Sequence, residues 1–274
     1  MVEIPEDLRD QGGTPALDAI RTLRQQLELN RDFGWDMPVA SDPARVPVED
    51  SPTADRAGEG TRPPAGGETG TTVRETAVAP ESLPGPEKGA ALEPVEAEVA
   101  GCTLCGLCEG RTNTVFGVGD PGARLLFVGE GPGRDEDLAG EPFVGKAGQL
   151  LNDIIKAMGL ERVQVYIANI VKCRPPENRN PVTEEIAACM PYLRRQVEII
   201  QPEVICALGG VAAKALLSSE ASVGSLRGKF HDYDGVAVRV TYHPAYLLRS
   251  PDEKSKAWQD IKAVMSRLSL PLPS

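Results

Sequence analysis

From residue 123 to residue 268 short apolar runs exchange regularly with longer amphipathic stretches. A-R-L-L-F-V-G (123–129), V-Y-I-A-N-I-V-K-C (165–173), E-V-I-C-A-L-G (203–209) and V-A-V-R-V-T-Y (236–242) have the length and β-branched content of buried strands. Residues 147–159, closed by Gly159, and residues 183–200, 211–217 and 255–268 carry apolar side chains at helical period. Parallel strands need crossover helices, so this order leaves few arrangements. It predicts an α/β fold, a four-stranded parallel sheet flanked by helices as an α/β/α sandwich, with ligands at the carboxyl ends of the strands. That rule places Gly129–Gly133, Asn169–Cys173, Gly209 and His243 along one rim.

The first hundred residues follow other rules. They carry 20 Asp and Glu against 9 Lys and Arg, whereas residues 101–274 carry 20 of each. The pI of 4.8 therefore belongs to the N-terminal part, and the rest stays eligible to meet nucleic acid. Within residues 1–37, the segment 14–30 reads as a short amphipathic helix with Leu17, Ile20, Leu23 and Leu27 on one stripe, a candidate dock for a protein partner. Residues 38–96 read as a disordered linker of Pro, Gly, Ala, Glu and Thr, and the folded domain is expected over 97–274. Truncation near Glu96 is accordingly expected to leave activity intact. No apolar stretch is long enough to span a membrane and the start is acidic, so the expected location is cytoplasmic. In that reducing setting the six cysteines are expected to bind metal or to be buried, not to pair.

C-T-L-C-G-L-C at 102–108 begins like a ferredoxin cluster run, but Thr112 stands where its fourth cysteine would be. Cys173 follows a strand and Cys189 lies on the next helix, so Cys102, Cys105, Cys173 and Cys189 form a candidate four-thiolate site for zinc or a 4Fe-4S cluster. Cys108 is left over, and Cys206 sits inside an apolar strand as a buried hydrophobe. G-E-G-P-G at 129–133 lets backbone amides approach a ligand while Glu130 offers a carboxylate; it lacks the dinucleotide-binding spacing. Asp135, Glu136 and Asp137 follow, as ligand contacts or as a solvated loop. His243, one of two histidines, stands where a strand runs out before a proline.

G-E-G-P-G, G-E-P-F-V-G-K-A-G-Q-L-L (140–151), Y-I-A-N-I-V-K-C-R-P-P-E-N-R (166–179) and H-P-A-Y-L-L-R (243–249), together with the four thiols, resemble the family 4 uracil-DNA glycosylases, iron-sulfur enzymes of base excision repair. The resemblance runs in order from Cys102 to Leu268 and covers none of residues 1–95. It implies a uracil-DNA glycosylase fold, a 4Fe-4S cluster on the four thiols, and hydrolysis of the N-glycosidic bond of uracil in single- or double-stranded DNA by a monofunctional, monomeric, nucleoid-associated enzyme. Gly129 and Gly131 would border the base, Phe143 would stack on it, Asn169 would read its N3–H and O4, and His243 would reach O2. Glu130 would position the water, with Glu136 as its rival or as the wall against the thymine methyl. Tyr246, Leu247 and Leu248 would push into the DNA stack and Arg249 would meet a phosphate. Lys172, Arg174, Arg179, Arg227, Lys229 and Arg249 are expected to form a phosphate-binding face. His231 matches no motif and is expected on the surface of a hairpin. No histidine lies between Asn169 and Cys189, which sets aside the superfamily branch that traps DNA covalently through one. The alternative from another class is a non-enzymatic iron-sulfur protein of a DNA-processing or electron-transfer assembly.

Overall fold

Each apolar run becomes a strand whose successive side chains leave on opposite faces. The structure, a computed structural model, describes residues 85–273; the helix expected over 14–30 and residues 38–84 of the expected linker lie outside the described residues. The strands are β1 (Val118–Gly119), β2 (Leu125–Gly129), β3 (Tyr166–Asn169), β4 (Val204–Leu208), β5 (Phe230–Tyr233) and β6 (Val236–Thr241), in the spatial order β1-β3-β2-β4-β6-β5. β3, β2, β4 and β6 run parallel, as expected. The sheet nevertheless has six strands instead of four, because β1 and β5 add antiparallel edges. Neither edge has the apolar run of a buried strand. β1 is two residues long, and β5 is the polar F-H-D-Y, turned onto β6 by Asp234-Gly235, both at positive φ as a tight hairpin requires.

The helices are α1 (Gly85–Ala100), α2 (Arg134–Ala139), α3 (Lys146–Ala157), α4 (Thr183–Ile200), α5 (Gly210–Leu217), α6 (Val223–Leu226), α7 (Pro244–Arg249) and α8 (Lys254–Arg267). Leu126, Val128, Ile205, Ala207, Val238 and Val240 pack beneath α1, α4 and α5. Leu125, Phe127, Val204, Cys206 and Leu208 pack on the other face beneath α3 and α8. Burial on both faces is why these strands read as continuous apolar runs. From β2 the chain crosses to β3 on one side and then to β4 on the other, and such a reversal opens a crevice at the strands' carboxyl ends. Among the described residues no helix is long and apolar enough to cross a membrane.

α1 occupies residues 85–96 of the stretch expected to be linker. Its Ala, Glu and Pro content hid a stripe of Leu92, Val95 and Val99, all buried against α4. Lys88, also buried, donates from Nζ to the Ile200 carbonyl at 2.8 Å, and Glu98 pairs with Arg195. A chain beginning at Glu96 is therefore expected to melt about 10 °C lower than one beginning near residue 82, since two buried aliphatic side chains contribute about 1.5–3 kcal/mol each. Thermal denaturation of the two truncations checks this, and equal melting temperatures would restore the simple tether.

Candidate active site

β2 ends at Gly129 and β3 at Asn169, and the chain beyond them stays paired: Ile170 N–H donates to the Gly129 carbonyl at 3.0 Å and Val171 N–H to that of Glu130 at 3.1 Å. A cleft of about 430 Å³ opens at this end of the sheet, lined by Glu130, Gly131, Glu136, Phe143, Asn169 and His243, with Pro175, Asn178, Arg179, Tyr246 and Arg249 further round. Gly129 is required by the closeness of its neighbours, because a Cβ there would lie 2.5 Å from Asn169 Oδ1 and 2.6 Å from the Phe143 ring.

Asn169 is 2% exposed, and its Oδ1 has no hydrogen-bond partner. Phe143 is buried at φ 54°, and its ring stacks on that of His243 with centroids 5.6 Å apart and planes 29° from parallel. His243 caps α7: its Nδ1 accepts the Ala245 N–H at 3.1 Å. Burial pushes its pKa down to about 4, and the Arg249 charge acts the same way against a smaller opposing effect of Glu136. Near neutral pH the ring is therefore uncharged, and with Nδ1 accepting, its proton sits on Nε2. Glu130 is half-buried, and that burial raises its pKa above the ordinary carboxylate value.

Two members of the acidic cluster after Pro132, Glu136 and Asp137, are anchors, while Asp135 is exposed. Glu136 Oε2 accepts Gly133 N–H, and Oε1 accepts the N–H groups of Val144 and Gly145, each at 3.0 Å. Asp137, 2% exposed, accepts Thr112 N–H at 2.8 Å. Glu136 thus binds the glycine-rich turn to the loop that carries Phe143.

Other expectations need correction. The segment after His243 is a helix, α7, because His243 caps it and Pro244 suits its first turn. Leu247 points into the core at 1% exposure and cannot enter DNA, while Tyr246 and Leu248 are exposed. The expected phosphate face is mostly committed elsewhere. Lys172 is buried, Arg227 pairs with Asp260, Arg179 makes a two-pronged bond to Glu185 and Arg174 Nε donates to Asn178. Lys229 and Arg249 are exposed. His231 is half-buried and its Nε2 donates to the Leu226 carbonyl at 2.7 Å.

Cys102, Cys105, Cys173 and Cys189 line one cavity, and the leftover Cys108 lines it with them, beside Arg111 and Tyr192. Arg111 Nη1 donates to Cys173 Sγ and Lys172 N–H to Cys189 Sγ, both at 3.3 Å. Such N–H···S bonds suit thiolate ligands. Burial raises the Cys173 pKa and lifts that of Cys189 to about 11, so binding there must displace protons. Among the described residues no three His, Cys, Asp or Glu side chains converge on a single metal-ion position. Cys206 lies apart in β4, fully buried.

A family model for the Uracil DNA glycosylase superfamily matches residues 116–262. The chain is 45% identical over 182 residues to a type-4 uracil-DNA glycosylase of Sulfurisphaera tokodaii, covering 63% of this chain and 83% of that protein. It is 48% identical over 161 residues to one of Thermotoga maritima (58% and 84%) and 42% identical over 181 residues to one of Archaeoglobus fulgidus (63% and 91%). The chain belongs to the type-4 uracil-DNA glycosylases. Membership sets aside the non-enzymatic reading.

Sequence reasoning missed Arg111, which had no recognisable signal, and misassigned Lys172, whose charge disguised its burial. Gly209, placed on the rim from the sequence, has φ 92°, and a Cβ there would lie 2.9 Å from His243 Cβ. In the glycosylase, Gly129→Ala is expected to lower single-turnover uracil release about 100-fold, since the methyl must displace both the Asn169 amide and the Phe143 ring by the ångström that separates productive from unproductive geometry. Quenched-flow assays check this; a loss under threefold would mean the neighbours yield freely.

Proposed function

We propose that the cleft of this uracil-DNA glycosylase takes a single uracil turned out of single- or double-stranded DNA and hydrolyses its bond to C1′, leaving an abasic site for base excision repair. The carrying observation is the buried, unpartnered Oδ1 of Asn169, an acceptor waiting for a donor. Uracil N3–H supplies it, and the amide N–H groups can donate to O4. Cytosine has a bare N3 and an amino group at those places, leaving both contacts mismatched, and a site of this kind discriminates by about 10⁴-fold. Phe143 offers the face for stacking, worth about 1–3 kcal/mol.

His243 keeps Nε2–H available for uracil O2, where negative charge develops as the bond breaks, so the contact strengthens in the transition state. Glu130 positions the water. Glu136, held by three amides, keeps the loop in place and forms the wall toward the uracil C5 position. Tyr246 and Leu248 meet the opened stack, and Arg249 a phosphate. Cys102, Cys105, Cys173 and Cys189 would hold a 4Fe-4S cluster, which supplies a staple between the cysteine arm and the sheet. Thiols lining a cavity suit a cluster, whose ligands need not meet at one atom. The chain acts as a monomer in the cytoplasm.

The test is base release from matched oligonucleotides carrying one U, C or T, with alkali cutting the abasic sites. Release from the U strand alone is expected; none from iron-replete protein overturns the reading. Glu130→Gln carries a further expectation. A base works only when ionised and burial raises the Glu130 pKa, so kcat/KM should fall as pH drops through values above the usual carboxylate pKa of about 4.3. Removing the carboxylate should erase that limb and cut the rate about 10²–10⁴-fold. Full single-turnover rate in Glu130→Gln would take the water away from this residue.

A further inference from the structure

We infer that Lys172 is a positioning residue for base readout, holding Asn169 from the side away from the cleft and linking it to the thiol-lined cavity; the inference rests on the function proposed above. Lys172 is 1% exposed, and its ammonium makes three hydrogen bonds: to the Asn169 carbonyl at 2.9 Å, the Phe116 carbonyl at 3.0 Å and Gln196 Oε1 at 2.6 Å. Gln196, itself fully buried, donates from Nε2 to the same Phe116 carbonyl at 3.1 Å.

All three acceptors are neutral. Burying a cation among neutral groups is unfavourable, and an unbranched apolar side chain would fill the same space without that cost. Stability alone therefore does not account for a lysine here, whereas position does. The Lys172 N–H donates to Cys189 Sγ, its carbonyl accepts Val115 N–H at 2.8 Å, and the next residue is Cys173. The residue is fixed at its backbone to the thiol cavity and at its side chain to the peptide leaving Asn169.

That peptide is gripped from two sides, by Lys172 on its oxygen and by Gly129 on the following N–H. Together they set the direction in which the Asn169 side chain leaves the backbone. An amide whose Oδ1 has no hydrogen-bond partner among the described residues depends on its backbone for direction, and these two bonds fix that backbone.

The experiment is a double-mutant cycle on the full, iron-replete chain: wild type, Lys172→Met, Asn169→Ala and the double variant, with single-turnover uracil release per folded chain and iron and sulfide content read for each. Lys172→Met is expected to slow release about 10-fold or more with iron content unchanged, and to add less than about 2-fold in the Asn169→Ala background. An equal factor in both backgrounds, or an unchanged rate, overturns the inference. So does loss of iron with full rate in the chains that keep it, which would make Lys172 a counter-charge for the thiolates only. If Lys172→Met does not fold, Gln196→Met, which removes an acceptor of the same ammonium from α4, enters the same cycle under the same criteria. Wild-type protein that releases no uracil defeats the underlying function instead, a result distinct from an additive cycle.

Discussion

In the Asn169→Ala protein, single-turnover release of uracil is expected to fall about 10³-fold while the melting temperature stays within a few degrees of wild type. The two halves of this expectation have one cause. An acceptor buried without a partner destabilises the protein that carries it by about 1–3 kcal/mol. Removing Oδ1 relieves that penalty, which offsets much of what the small cavity costs. A residue serving the fold would behave in the opposite way, lowering the melting temperature and sparing the rate per folded chain. Among the buried side-chain atoms left without a partner in the described residues, Asn169 Oδ1 is the one that lines the cleft; Gln201, Tyr233, Thr241 and Glu253 hold theirs elsewhere. Release within tenfold of wild type would mean that uracil is recognised by other groups. Single-turnover kinetics and a thermal melt on the same preparation decide the matter.

The sequence made the central sheet legible because its strands are buried on both faces, so each appears as an apolar run, interrupted only by Asn169 at the end of β3 and by Arg239 and Thr241 in β6. Strand ends were legible for the same reason, which is how Asn169 and His243 could be placed on one rim and are found lining one cleft. What was hidden had lost its pattern to composition or to charge. α1 buries only Lys88, Leu92, Val95 and Val99, on a helix rich in Glu and Ala with Pro94 inside it. β1 is too short to show a period, and β5 breaks the apolar pattern with a half-buried His231 and an exposed Asp232. Lys172 and Arg227 were expected at the surface because lysine and arginine are rarely buried unless their donors are satisfied. Each finds its acceptors across long sequence separations, at Phe116 and Gln196 for the one and Asp260 for the other. Leu247 was assigned to a DNA-facing loop with its neighbours, but once the segment is helical, adjacent residues point in different directions, and Leu247 turns inward while Tyr246, Leu248 and Arg249 stay outside.

His243→Leu is expected to lower uracil release about 10²–10³-fold, the usual consequence of losing one donor aimed at a developing anion. It should also lower the melting temperature by a few degrees, because the Ala245 N–H loses its acceptor and a helix cap contributes about 0.5–2 kcal/mol. The two losses belong to different nitrogens, and His243→Asn separates them. Asparagine is a strong cap residue, so stability should return, while its shorter side chain leaves the place of Nε2 empty and the rate stays low. The pH profile of the wild type gives an independent reading. With the folded pKa near 4, the imidazole is already neutral throughout the physiological range, and protonation switches the donor's character only below it. The wild-type rate should therefore show no inflection near 6.5, the value of a free histidine. An inflection there that disappears in His243→Asn would mean that the ring works as a cation, and the neutral donor on Nε2 would have to be abandoned.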